Sequence, residues 1–348
     1  MNKPVDLRSD TVTLPSPSMR RAMYEAELGD DGYGEDRTVT RLHEMVAERV
    51  GKEAALMTPS GCMANLIALL TFCDRGNEVI LGRQTDMYLW EVGAMSAVGG
   101  IFPNPLENEL DGTIDLAALE ASLRPEDVHF PRTRLICLEN SHNLSGGTPL
   151  TPGYIGQVKA VADRHHLPLY LDGARLFNAA VALNVDPLEI TRHVDALMFC
   201  FSKGLSCPVG SIICGSRSYI EEAHRHRKML GGQMRQAGVI AAAAIVAMTE
   251  MVERLADDHK HARLLASGLL ELDGLEVRPE KPQTNIVFFR PARAGISTEA
   301  LASRLEVAGV RTLPMGSWLR AVTHFGIEAD DIHRALQIIA VEWKAVSH

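Results

Sequence analysis

The stretch "LPLYLDGARLFN", residues 167–178, is the starting point for working out the fold. Its apolar run LPLYL suits a strand buried in a sheet, yet the run ends on an acid, Asp172, and Arg175 follows three residues later. A carboxylate is costly to bury unless a cation meets it. The stretch therefore predicts a buried strand whose last residue needs a cationic partner.

Similar apolar runs recur along the chain and alternate with helical patterns. The other runs are EAALMTP (53–59), NEVILG (77–82), RLICLEN (134–140), DALMFCFS (195–202) and GSIICG (210–215). Helical spacing of apolar residues, at i, i+3 and i+4, is present in MANLIALLTFC (63–73) and YIGQVKAVADRHH (154–166). Alternating strands and helices predict an α/β fold with a mostly parallel central sheet and helices on both faces.

The last part of the chain has a different order of elements. A long helix is expected over residues 236–257, within which the stretch DDHKHAR (257–263) begins and is expected to be a solvated face. Strand, helix, strand and helix patterns follow in NIVFFR, TEALASRLEVAG, RAVTHF and DDIHRALQIIAVEWKAV. This order predicts a large domain over residues 1–255, with an N-terminal arm over 1–35, and a smaller α/β domain over 256–348.

Composition excludes several classes of function. The 348 residues carry a net charge of −9 and a pI near 5.8, which argues against nucleic acid or an anionic membrane as the main partner. No apolar run reaches the roughly 18 residues needed to span a bilayer, and the N-terminus has no hydrophobic signal core. The six cysteines form no CxxC pair and are expected to be reduced, in a cytoplasmic protein. The thirteen histidines show no HExxH spacing, so we expect no metal site.

Polar residues at the carboxyl ends of the predicted strands mark the place where α/β sheets bind ligands. They are Ser60, Gly61, Cys62, Asp86, Glu139 to His142, Asp172, Arg175, Ser202 and Lys203. The set contains the start of a helix suited to phosphate, an acid, a lysine and an arginine. Few cofactors require all four.

Lys203 directly follows an apolar strand, which leaves its amine partly desolvated. Desolvation should lower the pKa of this lysine and make the amine nucleophilic, as a Schiff base to pyridoxal phosphate (PLP) requires. Taken alone, Lys203 could equally be a lysine that ends a strand and has no chemical role.

Asp172 precedes Lys203 by 31 residues, about the length of one strand–helix–strand crossover, so the two strand ends can be neighbours. The cation that Asp172 requires would then be the protonated pyridine nitrogen of PLP, which draws electrons from a substrate carbanion. The alternative is a structural salt bridge from Asp172 to Arg175.

The stretch TPSGCMANLIALL adds a binding place for phosphate. A Ser-Gly turn before a helix leaves backbone N–H groups unpaired and places the positive end of the helix dipole near Ser60 to Met63. The signal is weak alone, because Ser-Gly before a helix is also an ordinary N-cap. A GxGxxG fingerprint is absent from the chain, which lowers the case for a dinucleotide-binding oxidoreductase.

Taken in order, eight motifs from Asp6 to about Phe325 resemble the low-specificity threonine aldolases, which are fold-type-I PLP enzymes of the β-eliminating-lyase-like group. The motifs are DLRSDTV, GDDGYGED, GKEAALMTPSG, LENSHNLSGG, LDGARLFNAA, SKGLSCPVGS, KMLGGQMRQAG and LRAVTHF. The resemblance implies a PLP-dependent transferase-like fold and a homotetramer, a dimer of dimers, with active sites at the dimer interface.

The resemblance also implies roles for individual residues. Lys203 matches the Schiff-base lysine and Asp172 the partner of the pyridine nitrogen, while Ser60, Gly61 and Cys62 match the phosphate loop. The residues that match those holding the substrate carboxylate are Ser9, Arg175 and Arg320. His142 matches a histidine near the substrate β-hydroxyl. Lys228 and Arg235 match basic residues near the cofactor phosphate, and, like Tyr33, they are expected to come from the neighbouring subunit.

Two residues depart from the family pattern. Cys62 stands where the family usually has threonine, so the phosphate loses a strong hydroxyl donor. Asp86 stands where the family typically has a histidine that packs on the cofactor ring. Aspartate cannot stack like an imidazole, although it can still accept a proton. Either Asp86 or His142 serves as the base, or the preferred substrate differs from threonine, or Asp86 simply faces solvent.

The resemblance implies an aldolase that cleaves β-hydroxy-α-amino acids of the L-threonine and L-allo-threonine type to glycine and an aldehyde. An acid beside the substrate would disfavour a second carboxylate, as in hydroxyaspartate. Two alternatives stay open: another fold-type-I reaction on a small amino acid, such as β-elimination, racemisation or transamination, and a non-catalytic PLP-binding protein.

Overall fold

The computed structural model describes residues 3–292 and 296–346. Its strands lie at Val5–Asp6 (β1), Ala54–Thr58 (β2), Glu78–Gly82 (β3), Phe102–Leu106 (β4), Thr133–Glu139 (β5), Leu169–Asp172 (β6), Ala196–Cys200 (β7), Ser211–Gly215 (β8), Leu275–Arg278 (β9), Ile286–Pro291 (β10), Val310–Arg311 (β11), Leu313–Met315 (β12) and Trp318–Val322 (β13).

The α-helices lie at Pro17–Glu25 (α1), Arg37–Arg49 (α2), Gly61–Phe72 (α3), Asp86–Leu89 (α4), Ala94–Ala97 (α5), Leu116–Ser122 (α6), Pro152–Arg164 (α7), Leu176–Leu183 (α8), Pro187–Thr191 (α9), Arg217–Met229 (α10), Gly238–Val246 (α11), Leu255–Leu270 (α12), Thr298–Ala308 (α13) and Ala329–Lys344 (α14). Short 3₁₀ turns at Asp10–Val12 and Asp31–Tyr33 and a π turn at Ala247–Met251 complete the set.

The central sheet has seven strands in the order β2-β8-β7-β6-β5-β3-β4. Only β8 runs antiparallel to its neighbours in this sheet, so the prediction of a mostly parallel sheet is confirmed. Alternate residues of β5 pack into two different apolar cores. Ile136 and Leu138 belong to one core, and Leu135 and Cys137 belong to the other. Helices therefore cover both faces, as expected for strands buried on both sides.

All six predicted runs of the central sheet form strands, but a seventh strand, β4, was not predicted. Its sequence, FPNPL, contains two prolines and lacks the β-branched residues on which the other predictions depended. β4 pairs with β3 alone and lies at the edge of the sheet. An edge strand tolerates proline because one side of its backbone has no ladder to complete.

The C-terminal part forms a second, antiparallel sheet of order β12-β13-β10-β9. The predicted order of strand, helix, strand and helix is confirmed in β10, α13, β13 and α14. The first strand, β1, pairs in parallel with β11, so the beginning of the chain lies against this C-terminal unit. The domain boundary at residue 255 stays a prediction.

The prediction of one long helix over 236–257 is wrong. Helix α11 ends at Val246, a π turn follows, and α12 begins at Leu255. The two helices have different partners, since α11 packs on α1 and α2, whereas α12 packs on α8, α14 and β9. The break therefore lies between two helices that pack on different parts of the molecule.

The stretch DDHKHAR is also not a solvated face. Asp258, His259 and His261 are buried, because α12 packs on both the large sheet's helices and the C-terminal unit. His259 Nε2 lies 2.9 Å from Asn178 Oδ1, and the Asp258 carbonyl accepts a hydrogen bond from Thr323. Within residues 3–292 and 296–346, none of the helices has the length and apolarity required to cross a membrane.

Candidate active site

The carboxyl ends of neighbouring strands bring the predicted polar residues together. Glu139 is in register with Asp172, and Asp172 is in register with Met198 on the next strand. Lys203 is the third residue after that strand. A cavity of about 370 Å³ opens here, and its lining includes Ser60, Gly61, Cys62, Asp86, Asp172 and Lys203. Its volume lies in the range of small-molecule sites.

The start of α3 forms one wall of the cavity. Ser60 is the N-cap: its hydroxyl accepts from the Met63 N–H, and its carbonyl accepts from the Ala64 N–H. The N–H groups of Gly61 and Cys62 are therefore the first-turn donors that the cap does not use. A Cβ built on Gly61 would lie 2.9 Å from the Cys200 sulfur, so only glycine fits at this close approach. These features suit a phosphate.

Asp172 is held by neutral donors. Its Oδ1 accepts from the Ala174 N–H at 3.0 Å, and its Oδ2 accepts from Asn65 Nδ2 at 2.8 Å. Burial raises the pKa of Asp172, while the charge of Lys203 lowers it, and the pKa stays above its ordinary value. The alternative of a structural salt bridge from Asp172 to Arg175 is wrong, because Arg175 pairs with a different acid.

That acid is Asp10, in the 3₁₀ turn near the N-terminus. Arg175 Nε and Nη2 donate to the two carboxylate oxygens of Asp10, each at 2.8 Å. Both side chains are buried. The pKa of Arg175 is raised: burial lowers it, but the charge and hydrogen bonds of Asp10 outweigh burial. Arg175 is thus already compensated by a carboxylate of the protein.

Arg320, the other predicted carboxylate-binding arginine, has different surroundings. Its Nη1 donates to Asn143 Oδ1 at 2.8 Å and its Nη2 to the Arg8 carbonyl at 3.2 Å. Its buried Nε has no hydrogen-bond partner among the described residues. Burial and the neighbouring charge of Arg175 lower the pKa of Arg320 to about 10. A buried guanidinium with an unused donor suits an incoming carboxylate.

The pKa expected for Lys203 is wrong in direction. Burial and the charge of Arg175 lower the pKa of this lysine, but Cys200, Asp86 and Asp10 raise it, and the pKa ends above its ordinary value. The prediction counted desolvation alone, whereas the folded chain also places acidic groups around the amine.

Asp86 begins the short helix α4 and lines the cavity, so the alternative in which it simply faces solvent is wrong. Its Oδ1 accepts from Asn143 Nδ2 at 3.0 Å, and its N–H donates to Glu139 Oε2 at 2.6 Å. Asn143 therefore joins Asp86 to Arg320 through the two ends of one amide group.

His142 is not among the residues that line the cavity. The side chain is buried, and its Nε2 has no hydrogen-bond partner among residues 3–292 and 296–346. Burial lowers the pKa of His142 to about 4, although Asp86 and Asp111 raise it. The imidazole is therefore neutral at neutral pH.

The cavity lining does not include Arg175 or Arg320, nor the remaining predicted site residues Ser9, Tyr33, Lys228 and Arg235. Ser9 lies close to it: its hydroxyl accepts from the N–H of Thr11, which does line the cavity. Tyr33 is 79% exposed, Lys228 is exposed, and Arg235 is exposed and lies 3.5 Å from Asp30. One chain alone does not bring Tyr33, Lys228 and Arg235 to the site.

Several polar residues of the site were not predicted. Asp10 and Asn143 contact the two arginines, while Asn65 and Glu91 surround Asp172. Asn65 left a signal in the sequence, since it is a polar residue in the otherwise apolar run MANLIALL. The others lie in loops and turns that local pattern does not position.

The residues present fit PLP on three observations. A buried carboxylate, Asp172, is held by neutral groups rather than by a cation of the chain. The primary amine of Lys203 lies in the same cavity, and the helix start at Gly61 offers unpaired donors beside it. These are the three groups that the ring nitrogen, the aldehyde and the phosphate of PLP require.

Known proteins agree with this interpretation. Residues 6–292 match the family model described as beta-eliminating lyase. Low-specificity L-threonine aldolase 1 of Arabidopsis thaliana is 46% identical to this chain, covering 95% of this chain and 94% of that protein. The low specificity L-threonine aldolase of Escherichia coli (strain K12) is 41% identical, covering 98% of both. A structure of threonine aldolase from Leishmania major has a TM-score of 0.82 with 20% identity, and the match covers 97% of this chain and 98% of that one.

The fold and the site together define a PLP-dependent lyase of fold type I. Within that class, the chain belongs to the beta-eliminating lyase family and, in it, to the low-specificity threonine aldolases. The resemblance inferred from the eight motifs is thereby confirmed.

Proposed function

We propose that this protein cleaves β-hydroxy-α-amino acids of the L-threonine and L-allo-threonine type to glycine and an aldehyde. The observation that carries the proposal is the single cavity in which Lys203, Asp172 and the start of α3 meet. Relatives at 41–46% identity over nearly the whole chain bear the name low-specificity L-threonine aldolase.

Bound PLP supplies an electron-withdrawing ring that stabilises negative charge on the substrate's α-carbon. Asp172 would keep the ring nitrogen protonated, and the N–H groups of Gly61 and Cys62 would hold the phosphate. Cys62 is expected to contribute its backbone only, because burial raises the pKa of its thiol to about 11 and the thiol is a weak donor. Lys203 would supply the amine that meets the aldehyde of PLP.

Arg320 would bind the substrate carboxylate with the donor that it does not use within the chain. Ser9 and Arg175 complete the proposed carboxylate pocket, with Arg175 acting mainly through its charge because Asp10 takes two of its donors. A fixed carboxylate orients the bond between the α- and β-carbons, which has to break.

The β-hydroxyl has to lose a proton before the aldehyde can leave. Asp86 is the group we propose as the proton acceptor, since it lines the cavity while His142 does not. His142 keeps a proposed role in shaping the wall on which the β-substituent lies.

The exposed positions of Tyr33, Lys228 and Arg235 support a further part of the proposal. We infer that the protein is a homotetramer, a dimer of dimers, in which these residues complete the site of the neighbouring subunit. Five of the six cysteines are buried as free thiols, which supports a reducing, cytoplasmic location.

The decisive experiment measures glycine release from L-threonine, L-allo-threonine and phenylserine by the PLP-loaded protein. We expect activity on at least one of them, and Lys203→Ala should lose nearly all of it, because this change removes the amine that meets the aldehyde of PLP. Visible absorbance from bound PLP with no glycine from any substrate would instead favour β-elimination, racemisation, transamination or a binding role. A purified protein that never takes up PLP would overturn the proposal.

A further inference from the structure

Asn65 connects three buried polar side chains at the cofactor cavity, which it also lines. It lies on the second turn of α3 and is 2% exposed. Its Nδ2 donates to Asp172 Oδ2 and to Glu91 Oε1, both at 2.8 Å. Its Oδ1 accepts from the Tyr170 hydroxyl at 2.9 Å. One amide therefore joins two carboxyl groups and a phenol.

The chemistry of the partners determines which way this amide faces. An ionised carboxylate such as Asp172 can only accept, so the NH₂ group has to point towards it. Both hydrogens of that group are then used, one on Asp172 and one on Glu91. The Tyr170 hydroxyl donates to the remaining oxygen. A rotation of the amide by half a turn would set its oxygen against the Asp172 carboxylate and break the hydrogen bond between them.

Asp172 has its two oxygens held from opposite directions. The Ala174 N–H takes Oδ1 and Asn65 takes Oδ2, and both donors are uncharged. Neutral donors fix the orientation of a carboxylate without cancelling its charge. The charge thus stays available to a cation that enters the cavity.

Glu91 is the second carboxyl group of this unit and also lines the cavity. Burial and the charge of Asp172 raise the pKa of Glu91 to about 8, although the hydrogen bond from Asn65 lowers it. A protonated Glu91 still accepts from Asn65 through its carbonyl oxygen and adds no second negative charge beside Asp172.

We propose that Asn65 is a positioning residue that orients the Asp172 carboxylate towards the ring nitrogen of bound PLP, with Tyr170 and Glu91 fixing the amide in place. This inference rests on the proposed cofactor, and it adds a role for a residue that is neither the lysine nor part of the phosphate loop. Asn65 acts through Asp172 and takes no part in the aldol cleavage itself.

The test is cofactor affinity rather than turnover. Asn65→Leu keeps the size of the side chain and removes every hydrogen bond of the amide. Titrated with PLP, the cofactor-stripped full chain carrying this change should bind at least about tenfold more weakly, which corresponds to about 1.4 kcal/mol. The visible absorbance and circular dichroism of the PLP that does bind should also change, because its ring nitrogen meets a less ordered carboxylate.

Thr71→Val is the matched control. Thr71 lies on the same helix, and its hydroxyl donates to the Ile67 carbonyl and contacts His226, away from the cavity. This variant should bind PLP like the wild type. A purely structural role for Asn65 would lower the thermal midpoint of the stripped protein while leaving the affinity and the spectrum of bound PLP unchanged, and that result would overturn the proposal.

Tyr170→Phe covers the case in which Asn65→Leu does not fold. It removes only the hydroxyl that fixes the amide, so affinity should fall by about two- to tenfold, since one hydrogen bond contributes a net ~0.5–1.5 kcal/mol. Wild-type affinity in Tyr170→Phe together with an unchanged spectrum would count against the proposal. A wild-type protein that binds PLP but releases no glycine would reject the aldolase activity and leave this test intact.

Discussion

The two buried arginines of the site, Arg175 and Arg320, carry the same side chain but have different hydrogen-bond partners and opposite shifts in pKa. Arg175 makes two hydrogen bonds to the Asp10 carboxylate, and its pKa is raised above the ordinary value. Arg320 contacts only the neutral oxygens of Asn143 and Arg8, keeps an unpaired Nε among the described residues, and has its pKa lowered to about 10.

The difference gives the two charges different roles: the charge of Arg175 stabilises the fold, whereas the charge of Arg320 can bind a ligand. A buried ion pair loses several kcal/mol when one partner is removed, because the other charge is left uncompensated. A buried cation whose hydrogen-bond partners are neutral is already uncompensated in the free protein. A ligand carboxylate that binds to it removes this destabilisation. Sequence motifs treat the two arginines alike, whereas their contacts distinguish them.

The largest effect should come from breaking the compensated pair. Asp10→Asn leaves the buried Arg175 guanidinium without a carboxylate and should lower the free energy of unfolding by ~3–5 kcal/mol, measured by denaturant and thermal unfolding. Glu189→Gln, which removes an exposed pair with Arg192, is the control and should cost ~1 kcal/mol or less.

This prediction has a defined pH range. Burial raises the pKa of Asp10, but Arg175 lowers it further, to well below the ordinary 3.8. A depressed acid contributes stability above its unfolded pKa, and that contribution is lost as the pH falls through its folded pKa. The difference between wild type and Asp10→Asn should therefore be full at neutral pH and shrink only in strong acid; a difference that shrinks near pH 6 would contradict the assignment.

A smaller but more specific effect is expected at the other arginine. Arg320→Gln should raise KM for L-threonine by about 10–100-fold, because a hydrogen bond to a charged group contributes ~1.5–3 kcal/mol. The thermal midpoint should stay near that of the wild type, since no carboxylate of the described chain loses its partner. Arg175→Gln is the matched comparison and should lose stability as well, because it leaves Asp10 buried and unpaired. Equal loss of stability in both variants would remove the distinction between the two arginines.

The smallest effect concerns Asp86, whose charge acts on both arginines. Asp86→His introduces the residue that the family typically has, but it removes the proposed proton acceptor and the contact with Asn143. Turnover of L-threonine should fall by about tenfold rather than more, since histidine can also accept a proton. Asp86→Asn keeps the shape and cannot accept the proton, so it should lose more. Higher turnover in Asp86→His would show that Asp86 is not the base.

Much of the fold could be predicted from local pattern. Apolar runs of four to eight residues alternate with helical spacing, and six of the seven central strands follow from that alternation. The strand FPNPL was not predicted because its two prolines are atypical of a strand. Its position at the sheet edge, where proline is tolerated, is a property of the assembled sheet. The burial of DDHKHAR was not predicted for a related reason. A polar helical segment is buried only where other elements pack against it on two sides, and the sequence of the segment does not show those elements.

The candidate site divides in the same way. Lys203 and Asp172 could be found from their position at the carboxyl ends of apolar strands, where α/β sheets bind ligands. Asp10 and Asn143 could not, because each reaches its arginine over 165 and 177 residues of chain. The direction predicted for the pKa of Lys203 was wrong partly for the same reason, because two of the groups that raise it, Asp86 and Asp10, come from distant segments.

By itself, the sequence determined the order of elements, the strand ends at which chemistry occurs, and the family, because these depend on residue types at short spacing. Only the tertiary structure decided which charges are compensated. That Arg175 is paired with Asp10, that Arg320 is not paired with a carboxylate of the described chain, and that Asn65 holds Asp172 all depend on contacts between segments far apart in sequence. Electrostatic energy depends on distance in space, and local pattern carries no record of that distance.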